Sequence, residues 1–432
     1  MSTRAQGTAT SPAGLGARAD TPLWHPQAHM PSVRGAEIVL VRGEGSYLWD
    51  DTGRKLLDAP ASLWYCNVGH GRAELADAAA AQIRQLEAYS TFGPFASVPV
   101  LELAERVADS VPIPSAKVFF GSGGSDAIDT ASKLARRYWN GLGQPDKRII
   151  VSRDKSYHGL HGFGTSIGGI AANSEGYGEL MRDTERIDPS DAEALQMLID
   201  QRGADRVAAF FCEPVMGTGG VYPPVPGYLE AIQRICREND VLLVVDEVIT
   251  GFGRAGAMFG SERFELEPDM LIVAKGITSG YQPLGATIVG ERVWGPFWED
   301  GSDLMFRHGM TYAGHTTACA VALANLDILD REGLVDRVRS LETVLLDTFM
   351  PLERHEHVAQ VRGGVGLLTG VQCSSPAVAA QAVGLCIERG VIMRAITDGT
   401  LQISPPFVIE EHEIAHIAEV LADALDAIPV AG

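Results

Sequence analysis

Continuously apolar segments alternate with segments of helical spacing through the middle of the chain. Residues 207–212 and 241–245 are apolar almost without interruption, which is typical of strands buried on both faces. In residues 125–140 and 227–239 apolar side chains recur every three or four positions, as on one face of a helix. Strands that alternate with helices predict a mostly parallel sheet covered on both faces. The strands predicted for this region are 117–120, 148–151, 207–212, 241–245, 270–274 and 286–289, and the helices are 125–140, 191–201 and 227–239.

Both ends of the chain have a different pattern, which predicts a smaller α+β domain beside the large α/β domain. After His315, one long helical segment is expected to run through residue 352. The remaining predicted strands are 38–42, 47–50, 55–58, 366–373, 391–394 and 401–404, and the remaining helices are 72–88, 98–111, 377–389 and 410–427. The predicted division is a disordered tail at 1–30, part of the small domain at 31–70, the large domain at 71–318, and a linking helix with the rest of the small domain at 319–432.

The net charge of −20, from 55 acidic and 35 basic residues, argues against several kinds of partner. Nucleic acids and anionic membrane surfaces attract clustered Lys and Arg, so neither is expected to bind. No apolar run approaches the roughly 18 residues that a membrane helix requires. The six cysteines form no CxxC pair, which disfavours a zinc ribbon and indicates reduced, buried thiols in a cytoplasmic protein. Residues 1–20 lack the apolar core of a secretory signal, and a disordered tail is preferred there over a transit peptide.

One lysine stands in unusually apolar surroundings at the end of a predicted strand. Ligands bind beyond the carboxyl ends of strands in open α/β sheets. Lys275 follows the apolar residues 271–274 and precedes Gly276-Ile277, whereas the other five lysines have polar neighbours. Burial lowers the pKa of an amine, and a neutral amine can form a Schiff base with an aldehyde. The alternative is an ordinary ammonium group that reaches the surface on its flexible stem.

Three further features predict a site for pyridoxal phosphate around that lysine. Asp246 follows the neighbouring strand segment, where a carboxylate can pair with the pyridinium nitrogen of this cofactor. The Gly-rich turn at 121–125 lies between a strand and a helix, where backbone N–H groups and the helix dipole favour a phosphate. Tyr157 follows another strand and could stack on a planar ring. Considered singly, Asp246 is also explained as a turn acid, and Tyr157 as a core aromatic residue.

Three motifs are typical of sites of other kinds. Residues 251–256 fit the GxGxxG pattern of a dinucleotide loop, but no convincing helix follows them, as such a loop requires. Residues 412–416 fit HExxH, but they lack a third ligand nearby and are better explained as a solvated face of the last helix. His158 and His161 lie in a Gly-rich loop without a carboxylate partner in sequence. No metal is therefore expected.

The Gly-rich turn, Tyr157, Asp246 and Lys275 follow one another along the chain in an order that resembles the class III aminotransferases, which are pyridoxal-phosphate enzymes of fold type I. The resemblance extends from about Pro31 to the C-terminus, and its most specific segment is 242–256, LLVVDEVITGFGRAG. Residues 274–277 and 283–286 match the lysine segment of the family. Residues 309–315 match the segment that enters the active site of a partner subunit.

The resemblance implies a role for each matching residue. Lys275 and Asp246 are implied as catalytic residues. The implied cofactor-binding residues are Gly124, Ser125, Tyr157, Glu213, Asp246, Val248, Lys275 and Thr311, with Thr311 coming from the second subunit. A homodimer with shared active sites is expected, and a tetramer of such dimers is an open alternative. Gly123 and Ile128 stand where the family usually has Ser and Asn, which affects fine positioning rather than cofactor binding.

Within the family, the chain most resembles the omega, or amine:pyruvate, transaminases. Residues 62–71 carry Trp64, which lines the substrate pocket in that group, and Arg394 matches their carboxylate-binding arginine. Thr218 stands where ornithine and 4-aminobutyrate aminotransferases carry a Glu that gates this arginine. The implied substrate residues are Trp64, Phe92, Thr218 and Arg394. The expected reaction moves an amino group from a primary amine or omega-amino compound to a keto acid such as pyruvate.

Alternatives remain open for the reaction and for the arginine. Class III relatives also include an aminomutase, amino-acid racemases and a decarboxylase, and an NAD-dependent dehydrogenase is a remote alternative. For Arg394, the alternative to a substrate role is a surface ion pair with Asp398.

Overall fold

The computed structural model describes residues 21–429. The first twenty positions of the predicted tail lie outside the described residues, and Met30 begins the first helix. The strands of the described part are β1 (Leu40–Glu44), β2 (Tyr47–Asp50), β3 (Lys55–Asp58), β4 (Lys117–Gly121), β5 (Ile149–Arg153), β6 (Thr184–Ile187), β7 (Val207–Cys212), β8 (Leu242–Asp246), β9 (Met270–Val273), β10 (Gly285–Val289), β11 (Val358–Arg362), β12 (Thr369–Cys373), β13 (Val391–Ile392), β14 (Arg394–Ala395) and β15 (Thr400–Ile403). The helices are α1 (Met30–Val33), α2 (Ala61–Trp64), α3 (Ala73–Leu86), α4 (Val98–Ser110), α5 (Gly124–Gly141), α6 (Gly162–Ile167), α7 (Glu193–Arg202), α8 (Tyr228–Glu238), α9 (Gly260–Arg263), α10 (Glu291–Trp298), α11 (Thr316–Arg331), α12 (Leu334–Phe349), α13 (Pro376–Glu388) and α14 (Glu411–Asp426).

The predicted mostly parallel sheet is present, with seven strands in the order β4-β10-β9-β8-β7-β5-β6. Strands β5 to β9 pair in parallel, whereas β10 runs antiparallel to both β4 and β9. Every residue of β7, β8 and β9 is buried. The α/β fold class is therefore confirmed. The edge strand β6 was missed because its sequence, TERI, is only partly buried and has no continuous apolar run.

Helices cover both faces of this sheet. Successive residues of a strand point to opposite faces, and in the central strands the residues on both faces are apolar, so each face is buried by helices. Phe211 packs in one apolar cluster with residues of α5, α6 and α10. Its neighbour Phe210 packs in a second cluster with residues of α7 and α8. A strand that contributes to two apolar clusters has no polar face, which explains the continuous apolar run of β7 in the sequence.

Two four-stranded sheets, in the orders β1-β2-β3-β13 and β11-β12-β15-β14, are built from the two ends of the chain. The single strand predicted at 391–394 is wrong. Val391 and Ile392 pair in parallel with β3, whereas Arg394 and Ala395 pair antiparallel with β15. The chain changes sheets at Met393, so two distant partners divide one apolar run. Strand β11 was also missed; two of its five residues are exposed and its pairing with β12 is irregular.

The long helix predicted after His315 is in fact two helices. Helix α11 ends at Arg331, and Gly333, with a φ of 60°, caps the start of α12. Helix α11 packs against α3 and α4, whereas α12 packs against α14. The exact boundaries predicted for the two domains remain predictions.

The environment of the cysteines agrees with the sequence analysis. All six cysteines lie in the described residues, where they are buried and unpaired. Between residues 21 and 429, no helix has the length and apolar character needed to cross a membrane.

Candidate active site

A cavity of about 420 Å³ lies where β5, β7, β8 and β9 end, beside the turn from β4 to α5. This is the edge at which parallel sheets bind ligands. It brings together predicted residues from five separate segments of the chain. The predicted residues that line it are Gly124, Ser125, Tyr157, Glu213, Asp246, Val248 and Lys275.

Lys275 enters this cavity two residues after the end of β9. Its φ of 46° is left-handed, a strained conformation for a non-glycine residue, and it begins a short 3₁₀ turn, Lys275–Ile277. Burial lowers the pKa of Lys275 to about 8, although Asp246 and Glu213 favour its charged form. The lowered pKa that the apolar neighbours of Lys275 predict is thus present in the folded chain. A lysine with this pKa is partly neutral, and therefore nucleophilic, near physiological pH.

Asp246 ends β8 with its carboxylate held on two sides. Its Oδ2 lies 2.8 Å from Nδ1 of His158, and its Oδ1 accepts the N–H of Val248 at 3.0 Å. Both members of the Asp246–His158 pair are buried. Nε2 of His158 has no hydrogen-bond partner within the described residues. The pair fixes the direction of the carboxylate towards the cavity.

Glu213 is buried beside this pair and organises two loops. Its Oε1 accepts the N–H of Tyr157 at 3.1 Å, and its Oε2 accepts the N–H of Gly217 at 2.9 Å. Burial raises the pKa of Glu213, while His158 opposes that change. The carboxylate therefore positions the backbone that carries Tyr157.

The Gly-rich turn between β4 and α5 presents the start of a helix to the cavity. Asp126 Oδ2 accepts the N–H of Ser122 at 2.9 Å and closes the turn. The first N–H groups of a helix have no partner within that helix and are available to a phosphate. A Cβ atom at Gly124 would lie only 3.0 Å from a methyl carbon of Val248, so glycine permits this close approach.

The loop that carries Tyr157 packs on the same turn. Ser125 Oγ accepts the N–H of Leu160 at 3.2 Å. Gly159 has a φ of 83°, and a Cβ atom there would collide with Ser125. The predicted ring-stacking residue and the predicted phosphate-binding residue are thus fixed relative to each other.

Trp64 and Arg394 lie beside the cavity rather than among the residues that line it. Trp64 is buried, with its ring centroid 5.6 Å from Nζ of Lys275 and 5.0 Å from Cζ of Arg394. The alternative ion pair between Arg394 and Asp398 is not formed. Asp398 instead pairs with Arg362 at 3.2 Å.

Three other predicted residues lie outside this cavity. Thr218 is half-buried, and its carbonyl accepts the hydroxyl of Thr397 at 3.5 Å. Phe92 and Thr311 are exposed. A Cβ atom at Gly309 would lie 2.9 Å from the Phe92 ring, so Phe92 packs against the segment that leads to Thr311.

Several residues of the site were not predicted. His158 was considered only as a metal ligand, and the structure pairs it with Asp246 instead. Tyr65, Thr278 and Gln282 also line the cavity. His158 could have been predicted as a site residue, because it directly follows Tyr157 in a loop at the edge of the sheet. Tyr65, Thr278 and Gln282 lie in segments whose sequence has no pattern that indicates a site.

The GxGxxG segment has a structural role that the sequence pattern did not predict. It forms turns rather than a loop leading into a long helix. Arg254 is fully buried there and donates to the carbonyls of Leu367, Ser404 and Pro405 and to Oδ1 of Asn67. Arg254 thus connects this segment to the N-terminal and C-terminal parts of the chain through hydrogen bonds.

The HExxH segment lies in α14, and only part of it is solvated. His412 and His416 are exposed. Glu413 is buried, however, and accepts the N–H of Glu410 at 2.9 Å in a capping box. Among residues 21–429, no cluster of His, Cys, Asp and Glu could hold a metal ion.

Comparison with known proteins identifies the family. The aminotransferase class-III family matches residues 30–425. The putrescine–pyruvate aminotransferase of Pseudomonas aeruginosa is 38% identical, over 91% of this chain and 91% of its own. The beta-alanine–pyruvate aminotransferase of the same species is 34% identical, over 94% and 95%. The crystal structure of an (S)-enantioselective omega-transaminase from Thermomicrobium roseum superposes with a TM-score of 0.90 at 37% identity, covering 93% of this chain and 95% of that chain.

These similarities extend over nearly the whole chain and agree with a cavity lined by a lysine, a carboxylate and a Gly-rich turn. They exclude the dehydrogenase alternative, as does the absence of a long helix after residues 251–256. Enzymes of this family depend on pyridoxal phosphate in general. The chain is a class III aminotransferase of fold type I.

Proposed function

We propose that this enzyme moves an amino group from a primary amine or omega-amino compound to a keto acid such as pyruvate, using pyridoxal phosphate. The observation that carries the proposal is the convergence of Lys275, Asp246 and the Gly-rich turn at 122–125 on one cavity, with Arg394 beside it. The two relatives from Pseudomonas aeruginosa, named for putrescine or beta-alanine with pyruvate, support this choice of substrates.

The residues of the cavity fit the cofactor. The α5 turn with Gly124 and Ser125 would hold its phosphate, and Tyr157 and Val248 would contact its ring. The buried Asp246 would hold a proton on the ring nitrogen, because a carboxylate favours a cation beside it. When bound, pyridoxal phosphate supplies an electron sink for the substrate carbon that loses its proton.

The catalytic steps proposed for the chain's own residues are proton movements and orientation. Lys275 would hold the aldehyde carbon of the cofactor in the resting enzyme, and its Nζ, when free, would act as the general base that takes the proton from the substrate carbon. Once protonated, the same nitrogen would act as the general acid that delivers the proton in the second half of the transfer. His158 keeps the Asp246 carboxylate in position through the 2.8 Å contact.

Arg394 is proposed to bind the substrate carboxylate. A guanidinium contacts a carboxylate through two parallel N–H···O bonds, and no acidic residue within the described part of the chain pairs with this one. Thr218, in the position of the gating Glu of other subgroups, supplies no competing charge. Trp64 would form the wall of the pocket between Arg394 and Lys275.

A homodimer with shared sites is part of the proposal. Phe92 and Thr311 lie together on an exposed surface and line no part of the Lys275 cavity of their own chain. Phe92 is 56% exposed. Met305, which lines the same surface pocket, and Tyr312, which follows Thr311 in the chain, are 55% and 67% exposed, and exposed large apolar residues are typical of interaction surfaces. In a dimer, this surface would bring Phe92 and Thr311 to the partner's cavity.

The test of the reaction is stoichiometric formation of alanine. With pyruvate and a panel of primary amines and omega-amino compounds, we expect one alanine for each donor molecule consumed. The ketone or aldehyde formed from the donor should appear in equal amount. Racemised, rearranged or decarboxylated donor without alanine would contradict transamination and favour the racemase, aminomutase or decarboxylase alternatives of the family.

The lowered pKa of Lys275 predicts the pH dependence of cofactor capture. Only the neutral amine attacks the aldehyde, and burial places the pKa at about 8 instead of the usual 10.5. The rate at which cofactor-free protein gains visible absorbance with pyridoxal phosphate should therefore rise with pH and level off above about 8. A rate that continues to rise towards pH 10 would show that the amine is not buried as described.

A further inference from the structure

Arg394 has an uncharged partner in this structure. Among the described residues, the hydrogen bond of its side chain is from Nη1 to Oε1 of Gln402, at 3.2 Å. The two residues lie opposite each other on the paired strands β14 and β15. The guanidinium is partly buried, and this burial lowers its pKa. It is thus held in place by an amide rather than by a carboxylate.

The same amide also holds the segment that carries Trp64. Gln402 is fully buried, and its Nε2 donates to the carbonyl of Pro60 at 3.0 Å. Pro60 directly precedes α2, in which Ala61, Ser62 and Trp64 have φ values of 46°, 58° and 62°. Three left-handed residues among four are strained and require support from their surroundings.

Both contacts require an amide in this one orientation. A guanidinium only donates hydrogen bonds and a carbonyl oxygen only accepts them, so the Oε1 atom must face Arg394 and Nε2 must face Pro60. Glutamate could accept from the arginine but could not donate to the carbonyl. Leucine could do neither. Gln402 is therefore suited to fix Arg394 and the Trp64 segment at the same time.

We propose that Gln402 is a positioning residue that determines acceptance of carboxylate substrates. It holds Arg394 next to Trp64 without supplying a negative charge, so an incoming carboxylate meets an arginine that is oriented and not neutralised. A carboxylate at this position would compete with the substrate for the same guanidinium. The inference rests on the proposed function and extends it to a residue outside the lining of the cavity.

The test compares Gln402→Glu with Gln402→Leu in the holoenzyme. Both variants lose the bond to Pro60, but only Glu adds an anion next to Arg394. Single-turnover reactions of the aminated enzyme are measured with pyruvate and with propanal, which has the same number of carbons and no carboxylate. Relative to Gln402→Leu, the Glu variant should raise the half-saturating concentration of pyruvate by about tenfold or more and leave that of propanal unchanged. Arg394→Ala should raise the pyruvate value strongly as well.

Gln372→Glu is the matched control. Gln372 lies on the neighbouring strand β12, where its Oε1 accepts Nη1 of Arg362 at 2.6 Å. The same chemical change is thus made in the same sheet beside a different arginine. It should leave the preference for pyruvate over propanal unchanged. If Gln372→Glu lost as much preference for pyruvate as Gln402→Glu, the loss would be due to a negative charge anywhere in the sheet and not to a carboxylate in contact with Arg394.

A binding measurement separates this inference from the proposed reaction. Titration with unreactive propanoate, followed by tryptophan fluorescence, should show saturable binding to wild type. Binding should be weaker to Gln402→Leu, in which no amide holds Arg394, and weakest to Gln402→Glu, in which an anion also competes for it. Equal binding or equal pyruvate-to-propanal ratios in the Glu and Leu variants would overturn the role of Gln402. If Gln402→Glu does not fold, Gln402→Leu decides: a half-saturating pyruvate concentration and a propanoate affinity equal to those of wild type would overturn the role of Gln402. A wild type that binds propanoate but aminates neither acceptor contradicts the proposed function alone.

Discussion

Lys275→Ala is expected to lower turnover by about four orders of magnitude, because it removes both the covalent attachment of the cofactor and the group that moves the substrate proton. The variant should fold normally. Burial disfavours the ammonium form of Lys275, so its loss should not lower the melting temperature of the cofactor-free protein. Single-turnover assays and thermal unfolding measure the two effects separately.

Covalent labelling provides the control for this prediction. Borohydride reduction should fix the cofactor to wild type at Lys275 and leave Lys275→Ala unlabelled. Lys155→Ala removes an exposed lysine from the loop that carries Tyr157 and should keep both labelling and activity. A labelled peptide that contains any lysine other than Lys275 would refute the assignment.

Asp246→Asn is expected to reduce turnover by roughly 10²–10³-fold, the range for loss of one preorganised electrostatic contact. The amide has nearly the same shape but cannot stabilise a positive charge on the ring nitrogen, so the electron sink weakens. Cofactor binding should persist, because the Gly-rich turn at 122–125, proposed to hold the phosphate, and Lys275 are unchanged.

The contact of Asp246 with His158 should survive the Asp246→Asn change. The amide introduced by Asp246→Asn lacks the charge but could still accept one hydrogen bond from the histidine, so the fold of the loop should survive. Absorbance spectra and equilibrium dialysis report cofactor occupancy, and single-turnover rates report the chemistry. Turnover close to wild type at full occupancy would mean that another acid, such as the buried Glu213, holds the ring proton.

The sequence determined those features that depend on neighbours along the chain. Strand β7 was predicted with its exact limits because a strand buried on both faces leaves no position for a polar residue. The proximity of Lys275 and Asp246 could be predicted for the same reason: each lies at or just beyond the carboxyl end of such a strand, and these ends meet at one edge of a parallel sheet. The Gly-rich turn before α5 likewise needed only local backbone chemistry.

The tertiary structure decided the features that depend on residues far apart. The pairing of His158 with Asp246 joins positions 88 residues apart, and the bond from Gln402 to Pro60 joins positions 342 apart. The division of 391–394 between two sheets has the same origin, since its partners β3 and β15 lie on either side of it in the chain. A hydrogen bond or strand pairing depends on positions in space that local hydrophobic patterns do not encode, so these contacts became visible only in the folded protein.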